Sequence, residues 1–333
     1  MTIRVGVIGA GNMGAHHITN LATTINGAEV SFVADADPGR AAQAAAAAGA
    51  RFTTEPSELI NSSEVDAVVI ASDDSSHAGL ILECFEAMTP VFCEKPLAPT
   101  AAECREVLEA DADIVAATGN SLLSLGFMRR FDPGYAELKR VTSAREHGEP
   151  LMVHCISRSQ ASAPGATTES AVTNSAIHEL DAVPWLLGSP ITDVAWNSGR
   201  RSSRAPAGLD DPVLMMLRTA DGTLTTLELF LNAEFGYSIK CEVVAEHGTA
   251  SLSEPALLTT SAAAAMSTGY PGDWRGRFAD AYRLQLQAWI SALANGEEPP
   301  LATALDGLRA AEAAEAMIAS FHNNGAYTKV ARS

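Results

Sequence analysis

Short apolar runs alternate with longer mixed stretches through the first 120 residues of the chain. The apolar runs predict strands at residues 3–8, 29–34, 51–53, 66–71, 90–94 and 114–118. The stretches between them carry helix signals. Asp37 and Pro38 precede an alanine-rich run that ends at Gly49, and Thr100 with Glu103 forms a capping box. This succession predicts a parallel, doubly wound sheet.

The pattern changes to strict alternation after about residue 119. Strands are predicted at 151–159, 212–219, 223–233 and 238–246, and helices at 133–143, 278–294 and 303–321. Residues 255–272 carry weak signals and are expected to form a loop. The prediction is therefore an α/β chain, with a Rossmann domain at residues 1–121. An α+β domain with a large, mostly antiparallel open sheet follows at 122–333, and its C-terminal helices are candidates to pack back on the first domain.

The first predicted strand ends in the glycine-rich run Gly9-Ala10-Gly11-Asn12-Met13-Gly14. Gly9 permits a tight turn, Gly11 lets the backbone approach a pyrophosphate, and Gly14 lets the next helix pack closely. Asp35 follows the second strand, where a carboxylate binds the adenine-ribose hydroxyls and repels a 2′-phosphate. With no arginine expected close to Asp35, the pattern predicts NAD rather than NADP.

Composition excludes several classes of partner. The 333 residues include 40 acidic and 22 basic side chains, a net charge of −18, which argues against nucleic acid or an anionic membrane as partner. Met1 leads directly into a predicted strand, and no uncharged stretch has the hydrophobicity of a membrane span, so neither a signal peptide nor a membrane helix is expected. The five cysteines lack C-x-x-C spacing, which indicates reduced thiols in a cytoplasmic protein and no zinc cluster.

A lysine lies where a ligand is expected. Glu94-Lys95-Pro96 follows the strand at 90–94, and ligands of open α/β sheets bind beyond the carboxyl ends of the strands. Lys95 is therefore predicted to project toward the nicotinamide end of the cofactor. The alternative is a solvated surface lysine, although the chain has only four lysines.

A second group of polar residues lies at 174–181. Residues four apart share a helix face, so Asn174 and His178 are predicted to converge on one site. Asp181 is expected either to hydrogen-bond the imidazole or to pair structurally. A single histidine in such a helix is more often structural than catalytic, so this pattern alone leaves both roles open.

Several segments make the chain resemble the Gfo/Idh/MocA oxidoreductases, and within them the bacterial inositol 2-dehydrogenases. Besides the glycine-rich run, the resemblance rests on EKPLA at 94–98, GFMRRFD at 126–132, IHELD at 177–181, GYSIKCE at 236–242, DWRGRF at 273–278 and DGL at 306–308. It extends over nearly the whole chain. It implies oxidation of cyclic polyols or pyranose sugars, and the family includes many homotetramers packed through the open sheet, so a homo-oligomer (tetramer or dimer) is expected.

The resemblance also implies roles for individual residues. The family pattern has a catalytic lysine, aspartate and histidine, which correspond here to Lys95, Asn174 and His178, so position 174 departs from the pattern. The implied cofactor-binding residues are Gly9, Gly11, Asn12, Met13, Gly14, Asp35, Ser72, His77, Glu94 and Lys95. The implied substrate-binding residues are Met128, Arg129, Ser157, Ser159, Asn174, His178 and Tyr237. Positions 157–159 are a second departure, because the inositol enzymes have His-Arg-Asn where this chain has Ser-Arg-Ser.

These residues predict a mechanism and leave two functions open. His178 is the expected general base for a secondary hydroxyl, Lys95 stabilises the developing alkoxide, and NAD accepts the hydride. Asn174 can form the hydrogen bonds of the family aspartate but lacks its negative charge. Glu179 or Asp181 could supply that charge instead. The first function is an active NAD-dependent polyol or sugar dehydrogenase. The second is a catalytically weakened protein that senses NAD and sugar, and only Asn174 favours it.

Overall fold

The structure is a computed structural model, and it describes residues 2–253 and 258–331. Its helices are α1 (Asn12–Thr23), α2 (Pro38–Ala48), α3 (Pro56–Ile60), α4 (His77–Glu86), α5 (Ala101–Thr118), α6 (Pro133–Ser143), α7 (Thr168–Ala171), α8 (Ile177–Leu187), α9 (Trp274–Arg277), α10 (Ala279–Asn295) and α11 (Ala304–His322). Short 3₁₀ segments cover Asp74–Ser76 and Met128–Phe131, and a π-helical segment covers Val172–Ala176. In the described residues, no helix combines the length and apolar character that crossing a bilayer requires.

The first sheet has six parallel strands in the order β3-β2-β1-β4-β5-β6. They are β1 (Ile3–Ile8), β2 (Ala28–Ala34), β3 (Arg51–Thr53), β4 (Ala67–Ile70), β5 (Val91–Glu94) and β6 (Leu123–Gly126). The central strand β4 is buried along its whole length, as expected when helices cover both faces of a parallel sheet. The order is that of a Rossmann fold, so the predicted doubly wound sheet is confirmed.

The second sheet has seven strands in the order β12-β11-β7-β10-β9-β8-β15. They are β7 (Pro150–Arg158), β8 (Ile191–Ser198), β9 (Val213–Thr219), β10 (Leu224–Phe230), β11 (Ser238–Ala245), β12 (Gly248–Ser251) and β15 (Thr328–Lys329). Among the described strands of this second sheet, only the pairing of β7 with β10 is parallel, so the predicted, mostly antiparallel sheet is confirmed. Burial alternates along β7, β9 and β10, so one face of the sheet is covered and the other is open.

The chain divides into two compact units. Unit 1 comprises Met1–Met128 and Ala281–Ala311, and unit 2 comprises Arg129–Asp280 and Glu312–Ser333. Within unit 1, Trp289 of α10 is fully buried, and its ring centroid lies 5.7 Å from that of Phe92 on β5. The predicted domain boundary between residues 121 and 122 stays a prediction.

Two local predictions are wrong, and one strand was missed. Residues 114–118 are the last turns of α5, and the sixth parallel strand is β6 instead. The strand β8 was not predicted, although it lies inside the second sheet. Residues 258–272 contain a hairpin of β13 (Thr259–Ala262) and β14 (Ala265–Thr268) rather than an irregular loop, while 255–257 lie outside the described residues.

Candidate active site

The glycine-rich turn leaves open space beside its backbone at the N-terminus of α1. A Cβ on Gly9, whose φ is +92°, would lie 2.5 Å from the Ala71 carbonyl oxygen, and one on Gly14 would lie 1.7 Å from the Gly9 carbonyl oxygen. Around Gly11, by contrast, the described part of the chain places no atom, other than those of the adjoining residues, within 4 Å of an added Cβ. The turn is therefore closed on the strand side and open at the helix N-terminus, where free N–H groups bind a pyrophosphate. Asn12 and Met13 form the first turn of that helix.

Asp35 is held in place by three neighbours at the end of β2. Its Oδ2 accepts a hydrogen bond from the Ala10 N–H at 2.7 Å, and its Oδ1 accepts from the Asp37 N–H at 2.8 Å and from Arg40 Nη2 at 2.8 Å. Burial acts to raise the pKa of Asp35, but the hydrogen bonds from Arg40 and from the two N–H groups lower it. The carboxylate is therefore ionised and fixed next to the glycine-rich turn, as a ribose-binding residue requires.

The prediction that no arginine lies close to Asp35 is wrong. Arg40 is five residues away in sequence and reaches back from the first turn of α2 to the carboxylate. The Arg40 side chain is 55% exposed. This arginine offsets part of the negative charge that would repel a 2′-phosphate.

Lys95 follows β5, at the carboxyl edge of the first sheet. Its backbone N–H donates to Glu94 Oε2 at 3.2 Å, while Glu94 Oε1 lies 2.7 Å from Nε2 of the buried His17. Burial raises the pKa of Asp74, and the positive charge of Lys95 acts against that rise. Asp74 therefore lies close enough to Lys95 for an electrostatic interaction between the two side chains. Neither His17 nor Asp74 was among the predicted site residues.

Two further predicted cofactor residues lie near that edge. Ser72 lies two residues after the end of β4, and its Oγ lies 2.7 Å from Oγ of Ser76. His77 is only 1% exposed and begins α4, with Nδ1 2.7 Å from the Pro96 carbonyl oxygen. Because a carbonyl only accepts, Nδ1 donates, and His77 fixes the backbone that follows Lys95. Their contact with cofactor stays a prediction.

In unit 2, Asn174 and His178 were predicted to lie on one face of an α-helix, but the structure places them in two different helical segments. Asn174 lies in the π-helical segment, and His178 is the second residue of α8. A π-turn has wider i→i+5 hydrogen bonding, so the α-helical spacing rule does not apply across it. Asn174 is exposed and His178 half-buried, whereas Glu179 and Leu180 are buried. Single-turn π segments occur often at functional sites.

The acidic residues beside His178 are engaged by two consecutive arginines. Arg129 Nη1 pairs with Glu179 Oε1, and Arg130 Nη2 pairs with Asp181 Oδ1. Both carboxylate side chains are only 1% exposed. Burial raises the pKa of Glu179, and the Arg129 charge acts against that rise. The pair of Asp181 with Arg130 is one of the two roles considered for Asp181, and its hydrogen bond to the imidazole stays a prediction.

Arg129 itself is enclosed within unit 2. It is 1% exposed, its Nη1 donates to the Tyr135 hydroxyl at 3.3 Å, and its guanidinium lies 5.9 Å from the Phe278 ring centroid. Met128 is 2% exposed. The structure therefore places these two predicted substrate residues among buried side chains. Their contact with substrate stays a prediction.

The remaining predicted substrate residues lie on or beside the second sheet. Ser157 is buried on β7, and Ser159 is half-buried just after it, on the same face by strand alternation. Tyr237 is half-buried directly before β11, where burial raises its pKa to about 12. Its phenol is thus a neutral donor at physiological pH.

A separate cleft of about 850 Å³ is lined by residues such as Asp132, Tyr270 and Arg277, and none of the predicted site residues lies in its wall.

Comparison with known proteins gives matches over both halves of the chain. Residues 3–114 match the family model GFO_IDH_MocA, described as an oxidoreductase family with an NAD-binding Rossmann fold, and residues 144–330 match its C-terminal alpha/beta domain. The chain is 67% identical to Inositol 2-dehydrogenase 2 of Paenarthrobacter aurescens (strain TC1), over 100% of both proteins.

Solved structures give the same result. The myo-inositol dehydrogenase of Lactobacillus casei, in complex with NAD(H) and myo-inositol, is similar with a TM-score of 0.95 and 30% identity over 100% of this chain and 98% of that one. The scyllo-inositol dehydrogenase of the same organism, with bound NAD(H) and scyllo-inositol, gives a TM-score of 0.89 and 25% identity over 100% of both chains.

Proposed function

The chain belongs to the Gfo/Idh/MocA oxidoreductase family, and from that premise we propose that it is an NAD-dependent dehydrogenase that oxidises one secondary hydroxyl of an inositol or a related cyclic polyol. The observation that carries this proposal is the full-length similarity to a dehydrogenase solved with NAD(H) and myo-inositol. The relatives named above are all dehydrogenases, so they give no support to the regulatory alternative.

NAD fits the residues at the carboxyl edge of the first sheet. The backbone is open at Gly11, and the ionised Asp35 is fixed beside it by the Ala10 N–H. Those features would hold the pyrophosphate and the adenine ribose respectively. The bound cofactor supplies the hydride acceptor. We also propose that NAD is preferred to NADP, with Arg40 limiting the preference because it pairs with Asp35.

Three side chains are assigned to the chemistry by this proposal. His178 takes the proton of the reacting hydroxyl, since the pKa of an unperturbed imidazole lies near neutrality. Lys95 donates to the same oxygen and stabilises its developing negative charge. Asn174 orients its neighbours by hydrogen bonding without a charge. Because Glu179 and Asp181 are paired with arginines, the proposal gives neither of them the role of the family aspartate.

Few side chains are proposed to contact the polyol in unit 2, and two of them are short. Tyr237 contributes a neutral phenol, and Ser157 and Ser159 offer hydroxyls where the inositol branch has longer side chains. Shorter side chains leave room for a different ring substituent or for water. For this reason the proposal covers cyclic polyols as a class and leaves the isomer to experiment.

We further propose a cytoplasmic homo-oligomer, a tetramer or a dimer. The open face of the second sheet carries apolar side chains, with Met152 and Ile156 on β7 and Met216 and the 42% exposed Leu214 on β9, beside polar ones such as the Arg158–Glu228 ion pair. A sheet face that combines apolar and polar side chains in this way is typical of contacts between subunits. Five free, buried cysteines support a reducing compartment.

A substrate panel tests the proposal. The purified protein is incubated with NAD⁺ and, separately, with myo-inositol, scyllo-inositol, other inositol isomers and glucose, and NADH absorbance is followed. Turnover with at least one inositol is expected. Binding of NAD and of an inositol in calorimetry, without turnover on any member of the panel, would instead favour the sensor.

A further inference from the structure

A buried histidine contacts the residue that precedes Lys95. His17 lies on α1 with no exposed surface, and its Nε2 is 2.7 Å from Glu94 Oε1. The other oxygen of the same carboxylate, Oε2, accepts the backbone N–H of Lys95 at 3.2 Å. One carboxylate thus joins the glycine-loop helix to the backbone of the lysine.

Packing fixes the orientation of the imidazole. The ring of Phe92 lies 5.5 Å from that of His17 at 73°, and the ring of Tyr282 lies 6.0 Å away at 71°, both edge-on. Among the described residues, Nδ1 of His17 has no hydrogen-bond partner, so the polar contact of the ring is directed at Glu94. Edge-on aromatic packing of this kind restricts ring rotation and holds Nε2 on the carboxylate.

The backbone on the other side of Lys95 is also held by a histidine. His77 donates from Nδ1 to the Pro96 carbonyl oxygen at 2.7 Å. The peptide group before Lys95 and the one that follows Pro96 are therefore both fixed by hydrogen bonds to buried side chains. A lysine side chain is long and flexible, so the position of its backbone decides where its ammonium group can reach.

The geometry points to His17 as a positioning residue for Lys95, acting through the Glu94 carboxylate. This inference rests on the proposed function, in which Lys95 donates to the reacting oxygen. A misplacement of about 1 Å far from the reacting atoms can cost about 10²-fold in rate. We expect His17→Leu, which removes the donor and keeps an apolar side chain, to lower kcat by about ten- to a hundredfold.

Two matched variants separate positioning from loss of stability. His17→Gln keeps an amide donor near the position of Nε2 and should restore most of kcat. His16→Leu is the control, because His16 is the preceding residue on α1, also packs edge-on against Tyr282 at 5.3 Å, and hydrogen-bonds Asn20. It should leave kcat within about twofold of the unmutated protein.

A double-mutant cycle gives the decisive kinetic readout. If His17 acts through Lys95, then His17→Leu should lower the residual kcat of Lys95→Ala by less than about twofold, while the Kd for NAD changes by less than about threefold. Equal losses of kcat in the two backgrounds, or an unchanged kcat in His17→Leu alone, would overturn the inference.

Amide hydrogen exchange gives a readout that does not depend on turnover. His17→Leu should speed exchange in the peptide that contains Lys95, and His17→Gln should not. Unchanged exchange in His17→Leu would overturn the inference. If the unmutated protein does not reduce NAD⁺ with any of the polyols tested, the proposed function fails. The exchange measurement still decides whether His17 fixes this backbone.

Discussion

The buried ion pair between Arg129 and Glu179 allows a direct test of what Arg129 does. The resemblance implies a substrate contact, whereas the structure encloses the arginine, with side-chain exposures of 2% for Arg129 and 1% for Glu179. Glu179→Gln keeps the size of the side chain and removes its charge. Arginine cannot lose its proton in proteins, so the variant leaves a buried, uncompensated guanidinium. Removing one partner of a buried pair costs about 3–5 kcal/mol.

That cost predicts a large change in thermal unfolding. For a folded unit of this size, each kcal/mol lowers the midpoint by roughly 2–4 °C, so we expect a fall of roughly 6–20 °C. Circular dichroism during heating measures it. The control is Glu64→Gln, which breaks a pair with Arg51 whose side chains are 52% and 56% exposed, and it should leave the midpoint unchanged.

Kinetics of the same variant complete the test. The KM for the polyol is then measured at a temperature below the unfolding transitions of Glu179→Gln and of the unmutated protein. If Arg129 serves mainly as the buried partner of Glu179, the two KM values should be similar. An unchanged midpoint together with a markedly raised KM would refute this reasoning. It would place Arg129 in the substrate pocket.

Three further substitutions test the proposed roles. We expect NAD to be preferred over NADP in kcat/KM, and Asp35→Ser to erode that ratio because the ionised carboxylate is lost; equal kcat/KM values in the unmutated protein would contradict this role. Lys95→Ala should lower kcat by about two to three decades while calorimetry still shows NAD binding; weaker NAD binding with unchanged kcat would place Lys95 at the cofactor instead. Asn174→Asp should raise the pKa of His178 by about a unit or more, so the acidic limb of the kcat/KM profile moves to higher pH, since the base must be neutral. If neither that profile nor the rate changes, Asn174 lies outside the site.

The cofactor half of the site could be predicted from the sequence because its signals are local. Gly9 has a positive φ of its own, Gly14 approaches the carbonyl group of Gly9 only five residues earlier, and Asp35 follows its strand directly. The same holds for the cap of α5, where Thr100 and Glu103 form the predicted capping box. Such patterns specify backbone geometry without knowledge of the tertiary fold.

Contacts between distant segments could not be predicted in this way. His17 and Glu94 are 77 residues apart, and Arg129 and Glu179 are 50 apart. Sequence spacing gives no signal for such pairs. Arg40 was missed for a different reason, since nothing in its spacing shows that its side chain folds back over Asp35.

Two errors concern periodicity. The apolar residues at 114–118 contain Ile114 and Val115, whose β-branched side chains favour strands, but α5 continues through them with Val115 39% exposed. The π-helical turn at Asn174 also escaped prediction, because an α-helical period was assumed across it. Both errors arise where one short window fits two kinds of backbone.

Transfer of isotopic label tests the central claim most directly. An inositol carrying deuterium on the carbon of the oxidised hydroxyl is incubated with the protein and NAD⁺, and the reduced cofactor is analysed by mass spectrometry and NMR. Direct hydride transfer predicts one deuterium at C4 of the nicotinamide and a slower rate than with unlabelled inositol. Oxidation of the inositol without deuterium in the reduced cofactor, or no oxidation of any inositol isomer, would contradict the account.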